Sequence, residues 1–123
     1  MPIASMILLL VSDAVARAVI QEALEHGGYS VMAAGDLGTA VKRISESKPD
    51  LLIISPYIED ISGYDAAKFL RTKVNGLPVL MVAGIIEDDR LEYRLQLQEF
   101  AVFPTPYTAP ALLAKVKDVL SPK

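Results

Sequence analysis

The chain contains no cysteine, so it can form neither a disulfide framework nor a thiolate metal site. That composition suits a reducing, cytoplasmic setting. It has one histidine, His26, beside Gly27 and Gly28 at an expected helix end, where a solvated C-terminal residue is the simple reading. There is no excess of basic residues. Twelve Lys and Arg face fifteen Asp and Glu for a net charge of −3, and the bases are scattered singly apart from Lys42-Arg43. No basic stripe marks a nucleic-acid or membrane surface, so direct binding to either is not expected. Nor is there a long apolar run. Met6 to Val11 gives way at once to Ser12 and Asp13, far short of the ~20 residues a membrane span requires. That run lacks a basic leader, so no signal peptide is expected, and no internal repeat or low-complexity segment is visible.

What is present reads as one domain over residues 1–123. Hydrophobic residues make up 52% of the chain and charged ones 22%, enough to bury a single core. Three apolar blocks, MILLLV (6–11), DLLII (50–54) and LPVLMV (77–82), lack polar alternation, and YSVMAA (29–34) and FAVF (100–103) are weaker versions. Strands apolar on both sides belong in a buried parallel sheet. Between them, helical spacing runs through 14–26 (Val15, Val19, Ala23, Leu24), 37–47 (Leu37, Val41, Ile44) and 63–74 (Ala66, Phe69, Leu70). It continues through about 87–98 (Leu91, Leu95) and 109–120 (Leu112, Leu113, Val116, Leu120). Asp36, Ser62 and Thr108 stand where N-caps are needed, and Gly27-Gly28 and Asn75-Gly76 where helices should stop. Five strand–helix units predict an α/β fold with helices on both faces of a doubly wound, five-stranded parallel sheet, most economically in the flavodoxin-like order 2-1-3-4-5. In such sheets ligands bind beyond the carboxyl ends of the strands. Those ends carry Ser12 and Asp13, then Ser55, Ala83 and Thr105.

Taken together, the segments ILLLVSDAVARAVIQEALEHGGYSV, KPDLLIISPYIEDISGYDAAKFLR, LPVLMVAG and VFPTPYTAPALLAKV resemble the receiver domain of two-component response regulators along nearly the whole chain. The specific parts are KPDLLII leading into the third strand, the glycine eight residues beyond its end, LPVLMV, and a proline just after the fifth strand. The resemblance implies a site with an acid pair after the first strand and a phosphoacceptor aspartate ending the third. A Thr or Ser ends the fourth strand, and Lys-Pro follows the fifth. Here those positions hold Ser12 with Asp13, Ser55, Ala83, and Thr105 with Pro106. The family's Lys-Pro bond is characteristically cis, which the resemblance carries to Thr105-Pro106. Phosphotransfer of that kind needs a carboxylate nucleophile, acids to hold Mg²⁺, a hydroxyl for the bound phosphoryl group and a lysine to offset charge. Ser55 is a poor nucleophile without a base in reach, and Asp13 has a competing role as an N-cap. Glu59 and Asp60 read as solvated turn residues. No catalytic residue, metal or cofactor is therefore expected, and the chain is not read as an enzyme.

The polar coupling that the family makes between its fourth-strand hydroxyl and a fifth-strand aromatic falls at Ala83 and Val102, which cannot form it. Function is then expected at a partner-binding surface. In the fourth predicted helix Leu91 and Leu95 form one stripe while Tyr93 and Leu97 fall on another, with Arg90 and Arg94 alongside. Arg90, Tyr93, Arg94 and Leu97 are the candidate docking face, either for a regulator, kinase or output domain or for self-association through the fourth helix, fifth strand and fifth helix. The expected function is a degenerate, phosphorylation-independent interaction domain. Two other readings remain open: a receiver modified unconventionally, for example at Ser55, and a flavodoxin-like ligand binder outside the family. The second lacks the glycine-rich turn that would cradle a phosphate.

Overall fold

The computed structural model describes residues 5–58, 61–83, 101–104 and 108–120. Its order is β1 (Met6–Leu10), α1 (Ala14–His26), β2 (Ser30–Ala34), α2 (Leu37–Glu46), β3 (Leu51–Ile54), β4 (Tyr57–Ile58) and β5 (Ile61–Ser62). It continues with α3 (Gly63–Lys73), β6 (Val79–Ala83), β7 (Ala101–Pro104) and α4 (Ala109–Leu120). The predicted helix at 87–98 lies outside the described residues.

Five strands form one sheet in the order β2-β1-β3-β6-β7, every neighbouring pair parallel. This is the predicted 2-1-3-4-5 order. Ile7 through Leu10 and Leu51 through Ile54 are wholly buried, because β1 and β3 have a strand on either side and helices over both faces. Alternate residues serve opposite layers. Leu8, Leu10, Leu52, Ile54, Val79 and Met81 join Ala66, Ala67 and Leu70 of α3 and Ala40 of α2. Ile7, Leu9, Leu51, Ile53, Leu80 and Val82 join Ile20 and Leu24 of α1 and Leu112 and Val116 of α4. Removing one such leucine side chain to alanine costs about 2–5 kcal/mol, so neither layer tolerates a polar strand residue.

The helix boundaries follow local chemistry. Asp13 accepts from the Ala16 N–H, Asp36 from that of Thr39 and Ser62 from that of Asp65. Thr108 accepts from that of Ala111 through its hydroxyl. Gly27 N–H closes the end of α1 on carbonyls of the last turn, and Gly28 at φ 93° turns the chain into β2. Gly76 at φ 74° does the same after α3.

Two readings of the pattern need correction. Val15 and Val19 are 73% and 59% exposed, and the buried stripe of α1 runs instead through Ile20 and Leu24, with Ala16 packed against it. Phe69 is 42% exposed, whereas Ala66 and Leu70 are buried. A small antiparallel pairing of β4 with β5 also occupies the stretch after β3 that the sequence presents as a loop.

Gly63 explains its own place in the pattern. It opens α3 tight against the end of β3, donating its N–H to the Pro56 carbonyl (2.7 Å), and a Cβ there would collide with the Ser55 carbonyl oxygen and press on Pro56 Cα. Backbone, unlike a flexible side chain, cannot swing aside. Gly63→Ala is therefore expected to lower stability by about 1–3 kcal/mol, read as a drop in the urea midpoint at unchanged slope. A variant as stable as wild type would show that the β3–α3 junction yields freely.

Candidate functional site

The carboxyl edge of the sheet is built by the turns after β1, β2 and β3. Ser12 and Asp13 follow β1, Gly35 and Asp36 follow β2, and Ser55 and Pro56 follow β3. Ser55 is held in register by its N–H, which bonds the Leu10 carbonyl (3.1 Å). The ends of β1 and β3 are thereby fixed side by side, as the sequence predicts.

The two serines meet at one acceptor. Ser12 Oγ donates to the main-chain oxygen of Tyr57 (3.0 Å), and Ser55 Oγ donates to the same oxygen at 3.4 Å. A carbonyl oxygen has two lone pairs, so both can be taken up by these hydroxyls. Tyr57 is the first residue of β4, which pairs with β5 just before α3. Its side chain is 75% exposed, and its carbonyl is the working group. Sequence reading found both serines but not this acceptor, because a main-chain oxygen carries no residue-type signal.

Asp13 faces along α1 rather than across the edge. Its Oδ2 accepts the Ala16 N–H at 3.1 Å, which satisfies one of the helix's free donors. Among the described residues no cluster of three or more His, Asp or Glu side chains comes together that could hold a metal ion.

A cation that the sequence reading passed over, Arg17, secures the other side of the edge. It sits one turn into α1, and its Nη1 donates to the Val11 carbonyl at 2.7 Å and reaches the Ser12 carbonyl at 3.4 Å. Gly35 lies under the same guanidinium: a Cβ there would stand 2.7 Å from Nη1. Beyond it, Asp36 accepts the Thr39 N–H (2.7 Å) and the Thr39 hydroxyl (3.1 Å). Those bonds, the backbone one foremost, hold the Asp36 carboxyl below its ordinary value, with the positive charge of Arg17 adding to them. The only signal for Arg17 was its position four residues after the cap Asp13.

Ala83 and Val102 lie on neighbouring strands, where Met81 pairs with Val102 and Ala83 with Pro104. Thr105 and Pro106, with the expected cis bond, lie outside the described residues. So do Glu59, Asp60 and the docking residues Arg90, Tyr93, Arg94 and Leu97, together with the self-association face they were to form.

The family model for the response regulator receiver domain matches residues 7–117. Over 102 residues the chain is 28% identical to the alkaline phosphatase synthesis transcriptional regulatory protein PhoP of Bacillus subtilis, covering 83% of this chain and 42% of that protein. The chain spans about a third to a half of the first curated relatives it matches. Among solved structures, a CheY-like receiver domain protein of Methanospirillum hungatei superposes with a TM-score of 0.87 at 21% identity, covering 96% of this chain and 94% of that one. The chemotaxis protein CheY4 of Vibrio cholerae does so at 0.86 and 18%, covering 95% and 99%.

The two caps make separate predictions. Asp13→Ala should cost about 1 kcal/mol of stability, whereas Asp13→Asn, which keeps the acceptor, should cost much less; denaturant midpoints distinguish them. Equal losses would mean that the charge of Asp13, not its cap, matters. For Asp36 the folded carboxyl titrates below the unfolded value of 3.8. Its contribution is therefore complete above that pH and is lost as pH falls through the folded value. The stability advantage of wild type over Asp36→Asn should accordingly shrink on acidification below that point, and an advantage that grew would refute the assignment.

Proposed function

This chain belongs to the response regulator receiver domain family, and we propose that it is a member that has given up phosphotransfer and acts as a phosphorylation-independent protein-interaction domain. The observation that carries the reading is the meeting of Ser12 and Ser55 at the Tyr57 carbonyl. Where the resemblance puts an acid and the phosphoacceptor, two hydroxyl protons point at a main-chain oxygen. At the ends of β1 and β3 the hydroxyls are taken up by neutral hydrogen bonds.

These donors do not suit a divalent cation. Mg²⁺ takes oxygen ligands in near-octahedral geometry and is usually held by one or two carboxylates with phosphate oxygens. Asp13 already serves the α1 N-terminus, and the Tyr57 oxygen faces two hydroxyl donors. Serine does not become a nucleophile without a base to take its proton, and the contact Ser55 Oγ makes is with a carbonyl, which cannot act as that base. The loss is chemically consistent across the site. With Thr105 in place of lysine no buried cation is left without its acids, and with serines in place of carboxylates no acid cluster is left to repel itself.

Receiver domains interact with kinases or output domains, and a partner of that kind is what remains once the chemistry is removed. Binding to nucleic acid is not part of the proposal, since no basic stripe appears in the sequence. No helix among the described residues is long and apolar enough to cross a membrane.

The test is exposure to acetyl phosphate, and separately to beryllofluoride, each with Mg²⁺. Intact mass and the amide spectrum should both stay unchanged. Ser55→Asp alone should also fail to take up phosphate, because Ser12 and Thr105 leave metal binding and charge balance incomplete. Stoichiometric labelling of the wild type with a donor-dependent spectral change would overturn the proposal, and a phosphoserine mapped to Ser55 would replace it with an unconventional receiver.

A further inference from the structure

Apart from Tyr57 at the carboxyl edge, the large hydrophobic side chains exposed among the described residues, Val15, Val19 and Phe69, lie on opposite sides of the sheet. On one side a cleft of about 300 Å³ opens between α1 and α4, with Val19 and Ala23 on one wall, Ala109 and Leu113 on the other, and Glu22 and His26 at its rim. Glu25 stands beside that rim in a second hollow shared with Glu22 and His26. The stripe runs on along α1 to Val15. On α4, residues 109–114 carry no charge at all, so nothing on that wall interrupts the apolar surface. At the rim His26 Nε2 lies 3.8 Å from Glu22 Oε1, both side chains more than three-quarters exposed. Such a pair contributes little to stability. The carboxylates of the rim are therefore available to an incoming cation.

On the other side, α3 presents Phe69, 42% exposed, between two lysines that are held in place. Lys73 Nζ lies 5.3 Å over the Phe69 ring and Lys68 Nζ 5.3 Å over that of Tyr64. Asp65, the acid of the same helix face, is bonded to the Ser62 hydroxyl at the cap. The outer face of α3 is thus an aromatic knob flanked by fixed positive charge. The α1/α4 cleft is an apolar hollow with an acidic rim.

We propose that the chain associates head-to-tail with further copies of itself, Phe69 of one copy entering the α1/α4 cleft of the next while Lys68 and Lys73 approach Glu22 and Glu25. Knob and cleft match in charge, lysines against carboxylates around an apolar contact. They occupy different layers of the sandwich, so the contact is heterologous. A heterologous contact that does not close a ring extends into open chains rather than ending at a dimer. The contact involves no residue of the carboxyl edge, so it holds whether or not that edge can be phosphorylated.

Sedimentation velocity without phosphodonor or Mg²⁺ tests it. The weight-average mass of wild type should rise continuously as concentration is taken into the millimolar range, and the rise should weaken at high salt as the rim charges are screened. Val19→Glu, which spoils the cleft, and Phe69→Ser, which spoils the knob, should each be monomeric. An equimolar mixture of the two should form a dimer and nothing larger, because the intact knob of the first fits the intact cleft of the second and no further contact can be made. Both positions are substantially exposed, so both variants should fold, which circular dichroism checks. Should either fail to fold, Glu22→Lys/Glu25→Lys and Lys68→Glu/Lys73→Glu take their place: each alone should be monomeric, and their mixture, in which both contacts pair unlike charges, should form alternating chains. A wild type that remains monomeric, one that stops at a dimer, or a mixture no heavier than its components would overturn the proposal.

Discussion

Everything in this molecule hangs on the burial of β1 and β3 on both faces. Ile7 to Leu10 and Leu51 to Ile54 have no exposed surface, so these eight positions must be apolar whatever the domain does. With helices over both faces, only the carboxyl and amino edges of the sheet can carry polar groups. The carboxyl edge is the one whose turns lead into helix N-termini, where free N–H donors call for acceptors. Asp13, Asp36 and Ser62 answer that demand, and chemistry at this edge has to share its side chains with capping.

That sharing bears on how the proposed loss of phosphotransfer would leave the fold intact. At the ends of β1 and β3 the hydroxyls of Ser12 and Ser55 find an acceptor in the backbone, the Tyr57 oxygen. Arg17, bonded to the Val11 carbonyl, holds the β1–α1 turn from the opposite side. Pro56 fits the same logic: its missing N–H removes a donor from the turn beside Ser55, while its carbonyl takes the Gly63 N–H that starts α3.

Among the described residues the helix faces also carry chemical contrast. The acidic rim of the α1/α4 cleft and the lysine-flanked Phe69 of α3 lie on opposite layers. A net charge of −3 therefore conceals two unlike faces, and association governed by such contrast depends on position rather than on total charge.

The sequence by itself determined the parallel sheet and its order, because unbroken apolar runs alternating with helical spacing call for strands covered on both sides and joined by crossover helices. It also determined the helix ends, because Asp13, Asp36, Ser62, Thr108 and the glycines at 27, 28 and 76 act through contacts within a few residues. Ser12 and Ser55 were readable as edge residues for the same reason. It could not decide which side of α1 faces inward. Val15, Val19 and Ala23 recur at the same four-residue interval as Ala16, Ile20 and Leu24, and spacing alone gives both stripes equal claim. Only the seating of α1 on the sheet beside α4 chose the second stripe and left the first outside. The partner of the two serines was equally invisible, since it is a main-chain oxygen delivered across 45 residues from Ser12. Local periodicity and capping are written in side chains close together along the chain, whereas the orientation of a two-striped helix and the acceptor for a hydroxyl are settled by what the rest of the fold brings alongside.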